Sequence, residues 1–143
     1  MKGDLYIETD SKSPRTTSGW CGYVLTACKG ENIHTVEGFR YVRGTNHQLM
    51  LQAIGDAMER MTKPCEITIH TSDRYLQTAL EKYLLVWKEN GFLTAKGEPV
   101  KYSALWETVG QQLEQHQIRW ETTKAHEYST WMQMEIERRK RDV

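Results

Sequence analysis

The feature that most constrains the fold is a change of hydrophobic period at about residue 45. Before it, Asp4–Thr9 alternates apolar and polar residues, and Trp20–Cys28 and Ile33–Tyr41 are rich in residues that favour strands. The polar stretch Asp10–Ser18 between the first two is typical of a loop. From Asn46 to Met61 apolar residues recur at offsets of three and four. These patterns predict a three-stranded antiparallel meander followed by an amphipathic helix with Asn46 as its N-cap.

The rest of the chain alternates between strand and helix patterns. Pro64 ends the first helix, Cys65–His70 is predicted as a short strand, and Ser72 or Asp73 should cap a helix running toward Leu80. Residues 83–101 show no regular hydrophobic period, so no helix or strand is predicted there. An amphipathic helix marked by Leu105, Val109 and Leu113, the strand Gln117–Thr122 and a helix over Ser129–Arg141 complete the order. Such alternation implies that the later strands pair in parallel.

Composition narrows the class of protein. A chain of 143 residues, 38% of them hydrophobic, is predicted to form a single domain over residues 1–143. Nineteen basic side chains balance nineteen acidic ones, so any binding of nucleic acid must come from local patches. Three cysteines without zinc-site spacing and no N-terminal apolar leader favour a cytoplasmic location. No stretch approaches the eighteen or more apolar residues of a membrane span, so we predict no membrane partner.

Five short segments follow one another along nearly the whole chain: Ile7–Asp10, Thr45-Asn46, Thr71–Tyr75, His116–Trp120 and Lys124–His126. In this order they resemble the type 1 ribonuclease H family. Ile7–Asp10 resembles its first strand with the first catalytic aspartate, and Thr45-Asn46 resembles the start of its main helix. Thr71–Tyr75 resembles its threonine-aspartate-serine-x-tyrosine signature, and His116–Trp120 with Lys124–His126 is similar to its catalytic-histidine strand and loop. The resemblance implies an α/β, ribonuclease H-like fold, with a mixed five-stranded sheet and helices on both faces.

The resemblance also implies a catalytic site with two magnesium ions and four carboxylates, of which this chain keeps one in place. The four ligand positions are occupied, in chain order, by Asp10, Met50, Ser72 and Ile136. Asp10 is therefore the one predicted metal ligand. A single carboxylate cannot offset two divalent ions, so we predict weak or absent hydrolysis, with Mg²⁺ as cofactor only if the site is rearranged.

Neighbouring acidic residues leave room for such a rearrangement. Asp73 lies one residue beyond the third ligand position, where its side chain should turn to the other face and cap a helix. Glu135 and Glu137 flank Ile136, although adjacent helical positions point about 100° apart. In an active enzyme, Asp10, Asp73 and the loop residue His126 would be the catalytic set, with a glutamate from 127, 135 or 137.

Five residues are predicted to contact substrate, because they match the family's phosphate pocket and its basic protrusion: Thr45, Asn46, Trp87, Lys88 and Lys101. Amide groups at the start of the main helix suit a phosphate. Four lysines face three glutamates between residues 81 and 101, so this protrusion should bind less tightly than a fully basic one. The basic run Arg138–Arg141 is a second candidate contact.

Three functions therefore stand as hypotheses. The first is a catalytically impaired ribonuclease H-like domain that binds RNA–DNA hybrid, structured RNA or a nucleic-acid-processing protein partner. The second is an active metal-dependent hybrid endoribonuclease with a rearranged carboxylate site. The third is a protein-interaction domain without nucleic-acid binding, in keeping with the zero net charge.

Overall fold

The computed structural model describes residues 2–10 and 17–142 and places all five predicted strands in one mixed sheet. The strands are β1 (Lys2–Thr9), β2 (Thr17–Lys29), β3 (Asn32–Gly44), β4 (Glu66–Thr71) and β5 (Gln117–Thr122), in the order β3-β2-β1-β4-β5. The first three pair antiparallel, whereas β4 is parallel to β1 and β5 to β4. The meander and the parallel pairing are confirmed; residues 11–16 of the predicted loop lie outside the described residues.

The helices differ from the prediction in two places. They are α1 (Asn46–Met58), α2 (Arg74–Thr78), α3 (Leu84–Asn90), α4 (Ser103–Glu114) and α5 (Ser129–Arg141). The first ends three residues earlier than predicted. A π-helical turn, Ala79–Tyr83, joins α2 to α3, so the segment from residue 74 to residue 90 is helical until Gly91 ends it in the left-handed region at φ 77°. None of the described helices is long and apolar enough to cross a membrane.

The N-cap of α1 is Thr45, and the prediction of Asn46 was wrong. The amide of Gln48 donates to Thr45 Oγ1 at 3.3 Å, as an N-cap requires. Asn46 is the first helical residue, and its side-chain oxygen instead accepts a hydrogen bond from Thr9 at 2.6 Å. This bond ties the start of α1 to the end of β1.

Alternate residues of β1 enter different cores because successive side chains of a strand point to opposite faces. Leu5 and Ile7, both fully buried, pack in the main core with α1 and α4. Tyr6 instead packs with Met132 of α5 on the other face. Helices therefore cover both faces of the sheet, as predicted, and the end of β1 lies between α1 and α5.

Candidate catalytic centre and nucleic-acid interface

Asp10 lies directly after β1, and both of its carboxylate oxygens already have partners. Oδ1 accepts a hydrogen bond from the Trp20 amide at 2.9 Å, and Oδ2 lies 3.3 Å from Lys140 Nζ of α5. Gly19 makes this arrangement possible, because a β-carbon there would collide with Oδ1. Hydrogen bonds to Glu137 and Asp10 raise the pKa of Lys140. The chain thus places the Lys140 ammonium group against Asp10, the one carboxylate at the four predicted ligand positions.

The second and fourth ligand positions are part of the packed interior. Met50 is 1% exposed and Ile136 is 0% exposed. The Met50 sulfur accepts a hydrogen bond from the Thr71 hydroxyl at 3.3 Å. A thioether is a soft, weak acceptor, whereas Mg²⁺ requires hard oxygen ligands. Neither position offers a donor that suits magnesium.

Asp73 is used as a helix cap, as its place in the sequence predicts. Its Oδ1 accepts a hydrogen bond from the Leu76 amide at 3.1 Å, and the residue is buried. Its Oδ2 is hydrogen-bonded to Nδ1 of His47, on α1. Ser72, at the family's ligand position, is exposed. Both oxygens of the displaced carboxylate are therefore committed to α2 and His47.

The glutamates considered for a rearranged site have other partners. Glu135 is paired with Arg138 and Arg139, and the hydrogen bond from Arg138 lowers its pKa. Glu137 lies 3.2 Å from Lys140, and Glu127 accepts a hydrogen bond from Tyr6 at 3.3 Å. Over residues 2–10 and 17–142, no three His, Cys, Asp or Glu side chains are grouped as metal ligands. Residues 11–16 contain no carboxylate side chain. The donors do not fit a magnesium pair.

His126 lies in the loop between β5 and α5, as predicted, and its side chain is buried against β1. Its side chain is 3% exposed, and Nδ1 accepts a hydrogen bond from the Tyr128 amide at 3.2 Å. That bond places the proton on Nε2, which lies 3.0 Å from the Ile7 carbonyl and 3.1 Å from Glu8. Both ring nitrogens are engaged, so the geometry gives His126 a structural contact between β1 and the segment before α5.

Glu8 is the centre of a polar network that the sequence did not reveal. Besides His126, its carboxylate accepts hydrogen bonds from the Ser129 hydroxyl at 3.0 Å and from Gln133 at 2.6 Å. The residue is 5% exposed, and such burial of a carboxylate requires several donors. The period of two along β1 places Glu8 on the same face as Tyr6. This alternation was the one feature of the sequence that could have predicted its burial. This network fixes α5 on the sheet.

Three of the five predicted substrate contacts meet in one cavity of about 330 Å³, which we call the aromatic cavity. Its walls include Thr45, Trp87 and Lys101, together with His47, Tyr75, Tyr102 and Trp106. The other two predicted contacts lie elsewhere: Asn46 binds Thr9, and Lys88 forms an ion pair with Glu114 at 2.8 Å.

His47 is a site residue that sequence reasoning missed. Its hydrogen bond with Asp73 raises its pKa, although partial burial acts in the opposite direction. The two residues are 26 positions apart, so only their proximity in the folded chain reveals the pair. Burial likewise raises the pKa of Tyr75, whose ring lies 4.7 Å from the His47 ring. The aromatic cavity therefore has an imidazole, held by Asp73, beside an aromatic wall.

Comparison with known proteins identifies the family. A family model described as RNase H matches residues 3–133. The chain belongs to the ribonuclease H family. Ribonuclease H of Cereibacter sphaeroides is 35% identical over 127 residues, which cover 86% of this chain and 83% of that protein. Ribonuclease H of Actinobacillus pleuropneumoniae is 31% identical over 86 residues, and this chain spans only 56% of its length.

Solved structures support the same fold at low sequence identity. LC9-RNase H1, described as a type 1 RNase H with the type 2 active-site motif, has a TM-score of 0.72 and 16% identity, covering 92% of this chain and 69% of that one. A foamy viral protease-reverse transcriptase in complex with RNA/DNA hybrid has a TM-score of 0.63 and 14% identity, covering 93% of this chain and 18% of that one. The ribonuclease H-like fold is confirmed.

Proposed function

We propose that residues 1–143 form one ribonuclease H-like domain with little or no hydrolytic activity. We propose further that the domain still binds nucleic acid, with RNA–DNA hybrid as the principal candidate. The observation that carries the proposal is the state of the ligand positions: Met50 and Ile136 are buried and apolar, and Lys140 pairs with Asp10. The family generally uses Mg²⁺. This donor set does not match that ion, so no hydrolytic step is assigned to it.

The contact between Lys140 and Asp10 supports the proposed loss of hydrolysis in two ways: Lys140 occupies the position beside the carboxylate, and it neutralises its charge. One carboxylate beside an ammonium group has little net negative charge to attract a divalent ion. The Lys140 side chain is 39% exposed and could swing away, but Asp10 would then still be the only carboxylate at the four ligand positions. Mg²⁺ binds such sites weakly because it gives up its water reluctantly.

The retained binding role rests on the start of α1 and the aromatic cavity. Thr45 and the first amides of a thirteen-residue helix offer donors to a phosphate, and Lys101 adds a charge nearby. Trp87 lines the same cavity. With few neutralised phosphates, affinity should be moderate and should decrease with salt.

A binding and cleavage assay tests the proposal. The full chain is mixed with a labelled RNA–DNA hybrid in EDTA, and binding is followed by gel retardation at several salt concentrations. We expect a retarded complex without metal, weakened by salt, and no cleavage after Mg²⁺ is added. Salt-independent failure to retard any hybrid would instead support the protein-interaction hypothesis.

The competing function is an active hybrid endoribonuclease, favoured by the name Ribonuclease H that the relatives carry. It would need Asp10, Asp73 and His126 as catalytic residues, together with one of the three glutamates. Metal-dependent cleavage that disappears in Asp10→Asn, but not in the exposed control Glu98→Gln, would establish it. Asp73→Asn would then have to abolish cleavage as well.

The cellular setting is part of the same proposal. Cys21, Cys28 and Cys65 are free thiols, which is in keeping with a reduced, cytoplasmic location. A protein partner from nucleic-acid processing is the third element of the proposal. Co-purification with such a partner that survives nuclease treatment would support it.

A further inference from the structure

The outer edge of β5 is open to a further strand. The sheet order places β5 last, so that β4 is its one neighbour in the described sheet. The Gln117 amide at its start and the Thr123 amide just after its end donate to carbonyls of the β4 segment, at 2.9 and 3.1 Å. Because backbone groups alternate in direction along a strand, the odd-numbered residues between them also bond to β4. The residues whose backbone groups point outward are Ile118, Trp120 and Thr122.

This edge lacks the features that usually keep an edge strand from pairing. Among residues 2–10 and 17–142, no hydrogen bond reaches the outward backbone groups of Ile118, Trp120 and Thr122. Natural edge strands are commonly protected by lysine, by proline or by a bulge. Gln117–Thr122 contains neither lysine nor proline, and its register with β4 runs without a break. The edge is therefore a template for another strand.

A mainly apolar groove of about 400 Å³ runs beside the open edge. Its walls include Ile118 and Trp120 of β5 and Leu84 and Leu85 of α3. Leu85 is 61% exposed, and the next residue, Val86, is 56% exposed. Exposed apolar side chains beside unpaired backbone groups are typical of a surface that contacts another protein chain.

The charges of β5 identify which chain fits. Arg119 and Glu121 are exposed and project from the face opposite the groove, because they alternate with Ile118 and Trp120. Neither has an ion-pair partner within residues 2–10 and 17–142. A two-fold axis perpendicular to the sheet at Trp120 would pair two copies of β5 antiparallel. It would place Arg119 directly opposite Glu121 of the partner subunit, on one face of the sheet. The strand is thus complementary to itself in charge.

The hydrogen-bonding groups match in the same register. Ile118 lies opposite Thr122 of the partner subunit and Trp120 lies opposite its own copy, so outward groups meet outward groups and about six backbone hydrogen bonds can form. A shift by two residues would place Arg119 opposite Arg119 or Glu121 opposite Glu121, and like charges directly opposite are unfavourable. A shift by one residue would place free backbone groups opposite groups already bonded to β4. One register is therefore favoured over its neighbours.

We propose that the open edge of β5 binds a second copy of this chain, joining two five-stranded sheets into one continuous sheet across Trp120. The inference is independent of the nucleic-acid binding proposed above. Because β1, β4 and β5 run parallel, the dimer would hold its two Asp10 residues at opposite ends of the joined sheet. A contact of one strand and its groove is small, so the dimer should dissociate with a Kd on the order of 10–100 µM.

Sedimentation velocity of the full chain between about 1 and 500 µM tests the inference, and we expect a concentration-dependent dimer. Arg119→Glu should weaken it by about 10-fold or more, because both cross-strand pairs become like-charged. Adding Glu121→Arg to that variant should restore the dimer, since the same pairs then form with their signs exchanged. Arg43→Glu is the matched control, because it makes the same charge change at an exposed residue of β3, the other edge strand. It should leave the Kd unchanged.

Hydrogen exchange followed by NMR needs no variant. Raising the concentration of the unaltered chain should slow exchange at the outward amides of Ile118 and Trp120, but not at Arg119, whose amide already bonds to β4. A chain that stays monomeric up to about 500 µM would overturn the inference. So would a dimer that Arg119→Glu leaves intact, or one whose formation leaves the exchange of Ile118 and Trp120 unchanged. Hybrid binding by a monomeric chain would leave the proposed function standing.

Discussion

The end of β1 and the start of α1 adjoin, but their chemistry has diverged. Directly after β1, Asp10 is paired with Lys140. On the two helices that contact β1, the predicted ligand positions are buried apolar residues, Met50 of α1 and Ile136 of α5. At the start of α1, Thr45, His47 and Lys101 surround an open aromatic cavity. In the first region, packed apolar side chains and the ion pair leave no carboxylate free for a metal ion. In the second, hydrogen-bond donors and aromatic rings line a cavity. The proposed loss of hydrolysis and the proposed retention of binding both rest on this difference between the two regions.

The largest expected effect comes from restoring the carboxylates. Met50→Glu, Ser72→Asp and Ile136→Asp together should produce Mg²⁺-dependent cleavage of a hybrid at least about 100-fold above the unaltered chain, because a full set of oxygen ligands can neutralise the ions. Without metal the same variant should unfold at a lower temperature, since the new carboxylates at positions 50 and 136 would be buried without partners. Cleavage is measured with a labelled hybrid.

The matched control for that variant adds Asp10→Asn, which should abolish the new cleavage. A triple variant that folds and gains stability from Mg²⁺ but cleaves nothing would show that the missing ligands are not the only defect. In that case the contact between Lys140 and Asp10 becomes the next position to change.

A second prediction concerns the packing that now fills the fourth ligand position. Ile136→Ala should lower the free energy of unfolding by about 2–5 kcal/mol, because the side chain is fully buried and its removal leaves a cavity. Met134→Ala, on the same helix and 66% exposed, should change it by less than about 0.5 kcal/mol. Urea unfolding measures both. Equal effects would mean that α5 is not packed as described.

The pair of His47 and Asp73 predicts a pH dependence of stability. The pKa of His47 is raised above its ordinary value of 6.5, so the stabilisation is fully present below about pH 6.5 and is lost as the pH rises through the raised pKa. Thermal unfolding of the unaltered chain and of His47→Asn should therefore differ most at low pH and converge at high pH. A difference that grows with pH would contradict the assignment of this ion pair.

The smallest effect is expected at Lys140. Because its side chain is partly exposed, Lys140→Ala should lower the free energy of unfolding by at most about 1 kcal/mol. Lys82→Ala, on the exposed π-helical turn, serves as the control and should have no measurable effect. Denaturant unfolding at low and high salt distinguishes the two. A large, salt-independent loss would show that Asp10 depends on this ammonium more than its exposure indicates.

The fold could be predicted because the hydrophobic period of each strand and helix can be recognised within its own short segment of sequence. The bounds of β5 and α5 coincide with the predicted ones, and the change of period before α1 fixes the meander. The helix over residues 84–90 was missed because Leu85 and Val86 are exposed apolar residues, 61% and 56%, which obscure the pattern of an amphipathic helix. Thr45 and Asn46 are both good capping residues, so the sequence alone did not distinguish them.

The site was less predictable because its contacts join distant residues. Capping by Asp73 followed from its place before a helix, but its bond with His47 depends on how α1 and β4 are placed in the folded chain. The contact of Lys140 with Asp10 spans nearly the whole sequence and requires α5 to lie against β1. The three replaced ligand positions are predictions that the sequence allowed by position alone. The sequence did not predict that Lys140 lies beside Asp10.

The most direct test of the central claim is calorimetric titration of the full chain with Mg²⁺. Because two ligand positions are apolar and Asp10 is paired with Lys140, we predict no saturable heat up to about 10 mM metal, and the same trace for Asp10→Asn. Saturation at two sites in the low millimolar range, lost in Asp10→Asn, would contradict the claim that this chain has given up the metal chemistry of its family.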